Sequence, residues 1–208
     1  MAEESPLKGL HFDVRRVLFL YAVLLVTFVL VRAVRESIPA SRITSNLWAY
    51  DSAASIVIVV CIALTARPRL LALSRWMPTW KDAITGLLAG IAAGGIPLLF
   101  VVNPARYLQP VSLHLALPIL LMAPLLEEVL FRGIFLKSLR VDLPDWVAVP
   151  IVVLMAALGH QYFWLALWPQ FVLCVVYAAR NNSLGTAIIC HFCANATVFL
   201  LAGGIVQK

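Results

Sequence analysis

The sequence predicts an all-α bundle of about seven membrane-spanning helices, and three observations carry that prediction. Of 208 residues, 62% are hydrophobic and only 12% charged, with a mean hydropathy of +0.95, so a soluble domain of this composition would have no surface to show water. The charges are spaced so that six long uncharged runs remain, at 17–31, 52–66, 83–105, 107–126, 146–179 and 181–207. The fifth run holds 34 residues and must be two spans, because one helix needs roughly 20 apolar residues to cross about 30 Å of hydrocarbon. No length is left for a soluble domain, so residues 1–208 read as a single integral membrane domain.

The N-terminal segment, Met1 to Arg16, mixes Glu3, Glu4 and Asp13 with basic residues, and no small-residue cleavage site follows the first run. It therefore reads as a retained first span rather than a removable signal. The first two runs are short. Arg16 and Arg32 can snorkel from the first, and the second extends back through Ile43 to Tyr50 if Asp51 faces the bundle. The third span carries Gly86, Gly90 and Gly94, a ridge of small residues that lets another backbone approach closely. Packing within the bundle and a homodimer through that face are the two expectations. The 34-residue run divides near Gln161 to Gln170, where Tyr162, Trp164 and Trp168 form an interfacial aromatic belt and Pro169 starts the next helix.

Alternating the loops of seven spans puts 11 Lys and Arg on the side of the N-terminus and 5 on the other, so the N-terminus is expected to be cytoplasmic. Nearly all the basic residues lie between apolar runs. The excess of 16 Lys and Arg over 10 Asp and Glu therefore belongs to span anchoring, and nucleic acid is set aside as a partner. Cys61, Cys174, Cys190 and Cys193 sit inside apolar runs and read as small buried hydrophobes rather than a disulfide framework.

The chemistry concentrates around the end of the fourth run. Glu127 and Glu128 are adjacent carboxylates, and the apolar helix continues past them through Phe135 to Lys137, which puts them inside a span where each charge costs on the order of 2.5–3.5 kcal/mol. Glu128 and Arg132 are four apart and share a helix face, which makes a local ion pair, whereas Glu127 points about 100° away and has no such partner. The bland alternative is that both glutamates cap the cytoplasmic end of the span. Three further polar residues in apolar settings weigh against it: His160, and the i, i+4 pair His191 and Asn195 on the last span. Two imidazoles, an amide and an unpaired carboxylate are the groups needed for attack of water on a carbonyl, with Glu127 as the base and imidazole or amide donors for the oxyanion. His114 lies 13 residues before Glu127, roughly 20 Å along the axis, and His11 is in the polar N-terminal segment; neither belongs to the site.

The order Glu127-Glu128-xxx-Arg132, His160, His191-xxx-Asn195 resembles the CAAX-prenyl endopeptidase type II and bacteriocin-processing (CPBP, or ABI) family of intramembrane proteases, over roughly residues 80–200. The resemblance implies a water-activating Glu127 supported by Glu128 and Arg132, a contribution of His160 to water activation, and an oxyanion side made by His191 and Asn195. It implies no cofactor. The family motif usually has Phe four residues before its histidine. Here Ala156 takes that place, with Phe163 three residues after, a departure that touches the pocket wall rather than the catalytic groups.

Depth supplies a separate expectation. Glu127 and His191 come to about 15 and 12 Å from the interface, and His160 joins them if its helix starts at Pro150 rather than Pro144. Pro124 removes a backbone hydrogen bond to Leu120 and is expected to kink the fourth helix one turn before Glu127. The expected enzyme is a glutamate-type intramembrane endopeptidase of the bacterial inner membrane. It cuts a membrane-associated or lipidated protein near its C-terminus or anchor, by direct attack of water, since no serine or cysteine has a base at workable helical spacing. Two alternatives stand beside it. Cys190 and Cys193 with Glu127 and His160 suggest zinc, although the two cysteines are about 300° apart on a helix and there is no H-E-x-x-H. A bacteriocin-immunity, scaffold or proton-coupled membrane protein uses the same buried polar cluster without peptide hydrolysis.

Overall fold

The structure, a computed structural model, describes residues 75–101, 113–160 and 162–201, together with 19, 21–27, 29–30, 33, 57 and 60; for 113–119 it describes backbone alone. The N-terminal segment, Asp51, Cys61, nearly all of the expected second span and the tail after residue 201 lie outside those residues. So does the side of the membrane on which the N-terminus sits.

Every extended element among the described residues is helical. In chain order they are α1 (Trp80–Leu98), α2 (Leu113–Glu128) running directly into a π-helical stretch (Val129–Leu136) and then α3 (Lys137–Asp142), α4 (Asp145–Leu158), α5 (Phe163–Ala179) and α6 (Leu184–Leu201). With α2 to α3 counted as one rod, these are the last five of the seven expected helices. α6 is long and apolar enough by itself to cross a membrane, and α4 and α5 are shorter apolar helices. The outside of the bundle is apolar: Leu88 on α1, Leu154 on α4, Trp164 on α5 and Leu200 on α6 are all exposed. A surface of that kind suits lipid, not water.

α1 begins where Thr79 and Asp82 close a capping box, each side chain bonding the other's backbone N–H, at 3.2 and 2.9 Å. Asp82 does more than cap. Its buried carboxylate also accepts from Arg75 and from Arg180 Nε at 2.7 Å, which ties the segment before α1 to the end of α5. α5 stops at Arg180 because Asn181 and Asn182 turn left-handed, with φ of 53° and 58°. Asparagine tolerates that conformation better than other side chains, and Asn182 Oδ1 there accepts from Arg140 Nη1 at 2.9 Å. α1, α4 and α6 thus start, and α3 and α5 end, at one polar end of the bundle.

Among the described residues the most extensive helix pair is α1 with α6. A Cβ on Gly90 would overlap the Cys190 carbonyl oxygen, and one on Gly94 the Ala194 carbonyl oxygen, so the two backbones touch along the glycine ridge. The Gly86, Gly90 and Gly94 face is therefore filled from within the chain. The main core lies on the other side of α6, where Ile134, Phe135, Ala148, Val152 and Tyr177 are completely buried. The first expected span joins that core: residues 21–27 are helical, Leu24 is buried, and the Tyr21 hydroxyl donates to the Met155 carbonyl at 2.8 Å.

Three expectations need correction. The 34-residue run divides at residues 159–162, with α5 starting at Phe163 and Pro169 inside it rather than opening it. Gly159 is the C-cap of α4, and Pro169 is accommodated within α5. α4 starts at Asp145, not Pro150, because Pro144 is its N-cap and Pro150 is accommodated within the helix. The helix after the glutamates does continue, but as eight π-helical residues in place of α-helix, buried on all sides. The change of winding falls after Glu128, not at Pro124, through which α2 is helical.

Candidate active site

The turn between α3 and α4 explains how residues 33 apart in sequence meet. Glu127 lies fifteen residues before the end of α3 at Asp142, and His160 fifteen residues after the start of α4 at Asp145. The hairpin, pinned by Arg140 donating to Asp145 at 2.8 Å, brings both to the same level. Both helix boundaries differ from those expected, and the two shifts offset each other. His160 is not in a helix: it sits in the turn after α4, its Nδ1 2.8 Å from the Ala156 carbonyl, where it caps the free end of the helix.

That contact fixes the ring. A carbonyl oxygen only accepts, so Nδ1 carries the hydrogen, and Nε2 faces Glu127 Oε2 at 4.0 Å. His191 is oriented in the same sense. Its Nδ1 donates to Glu128 Oε1 at 2.8 Å, and its Nε2 lies 4.0 Å from the same Glu127 Oε2. Glu127 Oε2 is buried and has no protein hydrogen-bond partner. Two imidazole nitrogens and one carboxylate oxygen thus converge at distances too long for direct hydrogen bonds and right for a small molecule held between them.

Glu128 and Arg132 are completely buried and paired, Nη1 to Oε1 at 3.0 Å, as the spacing predicts. The same Oε1 holds His191, so Glu128 supports an imidazole more directly than it supports Glu127. Arg132 is anchored from α5, where its Nη2 donates to the Gln170 carbonyl at 2.9 Å and to Gln170 Oε1 at 2.6 Å. Sequence reasoning missed Gln170 as a site residue. The available signal was a glutamine inside an apolar helix, costly there unless partnered. Asn195 follows His191 by one turn of α6 and is partly buried. α6 is held at that level by the glycine ridge, since Cys190 and Ala194 are the residues against Gly90 and Gly94.

Cys190 packs with Leu173 and Val176 while His191 turns toward Glu128, so neighbouring residues of α6 face different helices. Among the described residues, no group of three His, Cys, Asp or Glu side chains gathers in a way that could hold a metal ion. His114 is in α2, toward the end remote from Glu127.

Residues 109–197 match the family model described as type II CAAX prenyl endopeptidase Rce1-like. All six candidate residues fall inside that segment. No curated protein and no solved structure matches the chain. The match covers residues 109–197, less than half of the chain, and agrees with the resemblance read from the motifs.

Proposed function

We propose that the chain is a glutamate-type intramembrane endopeptidase in which Glu127 activates the hydrolytic water. The observation that carries this reading is the buried, unpartnered Glu127 Oε2 facing two imidazole Nε2 atoms at 4.0 Å each. A water bonded to Oε2 reaches an Nε2 as well, because two hydrogen bonds of about 2.8 Å span a 4.0 Å gap at an angle of about 90°. Glu127 takes a proton as the oxygen attacks the scissile carbonyl. The C–N bond then breaks, and the proton passes to the leaving amine.

The neighbours divide the remaining work. With Nδ1 of each ring committed to an acceptor, each Nε2 can only accept: the water gives one hydrogen to Glu127 and the other to one of the two Nε2 atoms, which relays the proton, and Asn195, on the His191 side, donates to the oxyanion. Glu128 and Arg132 fix the tautomer and orientation of His191, a task akin to that of outer-shell carboxylates at other sites. The same reading takes the whole chain as seven spans with the polar end of the bundle cytoplasmic, in a bacterial inner membrane. The substrate is a membrane-associated or lipidated protein cut near its C-terminus or anchor. Treating the reconstituted protein with a chelator, and replacing Cys190 and Cys193 by alanine, should leave cleavage intact while His191→Gln and Glu127→Gln each abolish it. Cleavage that is lost with the chelator or the cysteines and kept in Glu127→Gln overturns the glutamate mechanism.

A further inference from the structure

We propose that Gln170 is a positioning residue that commits Arg132 to Glu128 and thereby leaves Glu127 free to act as the base. The proposal rests on the peptidase reading above and adds to it a residue on a helix that carries none of the motif positions.

A guanidinium has five N–H groups, and one that is completely buried must find acceptors for them in the protein. Gln170 supplies two acceptors to Arg132, its carbonyl at 2.9 Å and Oε1 at 2.6 Å, both taken by Nη2. Glu128 supplies another, through Nη1 at 3.0 Å, the Cys174 side chain is a further partner, and Arg132 Nε has none. Gln170 is itself buried in α5.

The π-helical winding makes the choice of carboxylate a real one. Arg132 follows Glu128 by four residues and Glu127 by five, and a helix closed by i→i+5 bonds brings the fifth residue over the first. The backbone alone therefore offers the guanidinium either glutamate. An Arg132 paired with Glu127 would occupy the oxygen that has to take the proton. Gln170 holds Nη2 from the α5 side, so that Nη1 meets Glu128, and Glu128 in turn accepts from His191 Nδ1 at 2.8 Å. The chain Gln170, Arg132, Glu128, His191 runs through three helices and ends on the imidazole that faces Glu127.

The test uses the full-length protein with Gln170→Leu, Gln170→Glu, Gln170→Asn and, separately, Glu127→Gln. One readout is the rate at which Glu127-dependent protein termini form in pulse-labelled native cells at matched expression. The other is the 15N spectrum of histidine-labelled protein in detergent, with the His191 signals assigned by their loss in His191→Gln. Gln170→Leu should slow terminus formation by about tenfold or more and convert His191 from the Nδ1-protonated form to a mixture of tautomers. Gln170→Glu, which keeps an acceptor at Oε1, should restore most of the rate and the wild-type His191 pattern. Should the leucine variant fail to accumulate, Gln170→Asn withdraws the acceptor by one methylene and should move both readouts in the same direction. A leucine or asparagine variant with wild-type rate and an unchanged His191 spectrum overturns the proposal, as does a glutamate variant as slow as the leucine one. If Glu127→Gln changes no terminus, the peptidase reading is what fails, and the spectra still decide whether Gln170 sets His191.

Discussion

Alanine substitutions along the glycine ridge test the α1–α6 packing that holds His191 at its level, and neighbouring glycines provide the control. Glycine in a helix interior costs about 1 kcal/mol relative to alanine, so an unobstructed Gly→Ala change should stabilise. Gly95 is unobstructed: a Cβ there would meet Thr197 Cγ2 at 3.8 Å, an ordinary contact. At Gly90 the new atom would overlap the Cys190 carbonyl oxygen and lie 2.5 Å from Cys193 Cβ, and at Gly94 it would overlap the Ala194 carbonyl oxygen. Backbone cannot swing aside, and overpacking costs about 1–3 kcal/mol, so Gly90→Ala and Gly94→Ala should lose up to about 2 kcal/mol net of the propensity gain. Gly86→Ala should fall between, since its nearest neighbours are the Thr186 carbonyl at 2.9 Å and the Ile189 side chain at 3.0 Å. At about 2–4 °C per kcal/mol for a chain of this size, thermal unfolding in one detergent should place Gly90→Ala and Gly94→Ala below wild type by up to about 8 °C and Gly95→Ala slightly above it. A Gly95→Ala variant as damaged as Gly90→Ala would refute the reasoning, because composition rather than close approach would then govern the ridge.

Other outcomes follow from single contacts. Arg132→Met strands Glu128 without its buried ion-pair partner and should cost about 3–5 kcal/mol, whereas Glu128→Gln with Arg132→Met should recover part of it; proteolysis of the solubilised protein reads both. Asn181→Gly relieves a left-handed residue and should stabilise by about 1 kcal/mol or less, measured as a rise in unfolding temperature. Asp82→Asn removes a carboxylate that Thr79, Arg75 and Arg180 share, and should raise protease cleavage at the polar end of the bundle, seen by mapping the first cut sites.

Helix count and order over the described residues were legible because apolar length alone decides them in a membrane-like composition. Boundaries were less so. Pro150 and Pro169 look like helix starts, but proline inside a helix packed by neighbours is tolerated, and the break falls between Gly159 and Tyr162. The Glu128–Arg132 pair was legible from i, i+4 spacing, which survives the local change to π-helix. The His191–Glu128 contact was not, since spacing says nothing about which of two adjacent carboxylates a distant helix will meet. Gln170 and Asp82 were missed for a related reason: each is a single polar residue whose partners lie on other helices or, for Asp82, only partly in its own first turn. The glycine ridge was seen, and its partner was settled by packing no local pattern encodes.

The most direct test of the central claim compares the termini of membrane and secreted proteins, by mass spectrometry, in native cells carrying wild type or Glu127→Gln at matched expression. The account predicts that a defined set of C-terminal fragments present with wild type is absent with Glu127→Gln, and that the flanking sequences of those fragments identify the substrate. An identical set of termini in the two strains would contradict it, and would turn the buried glutamate and histidines toward immunity or proton-coupled transport.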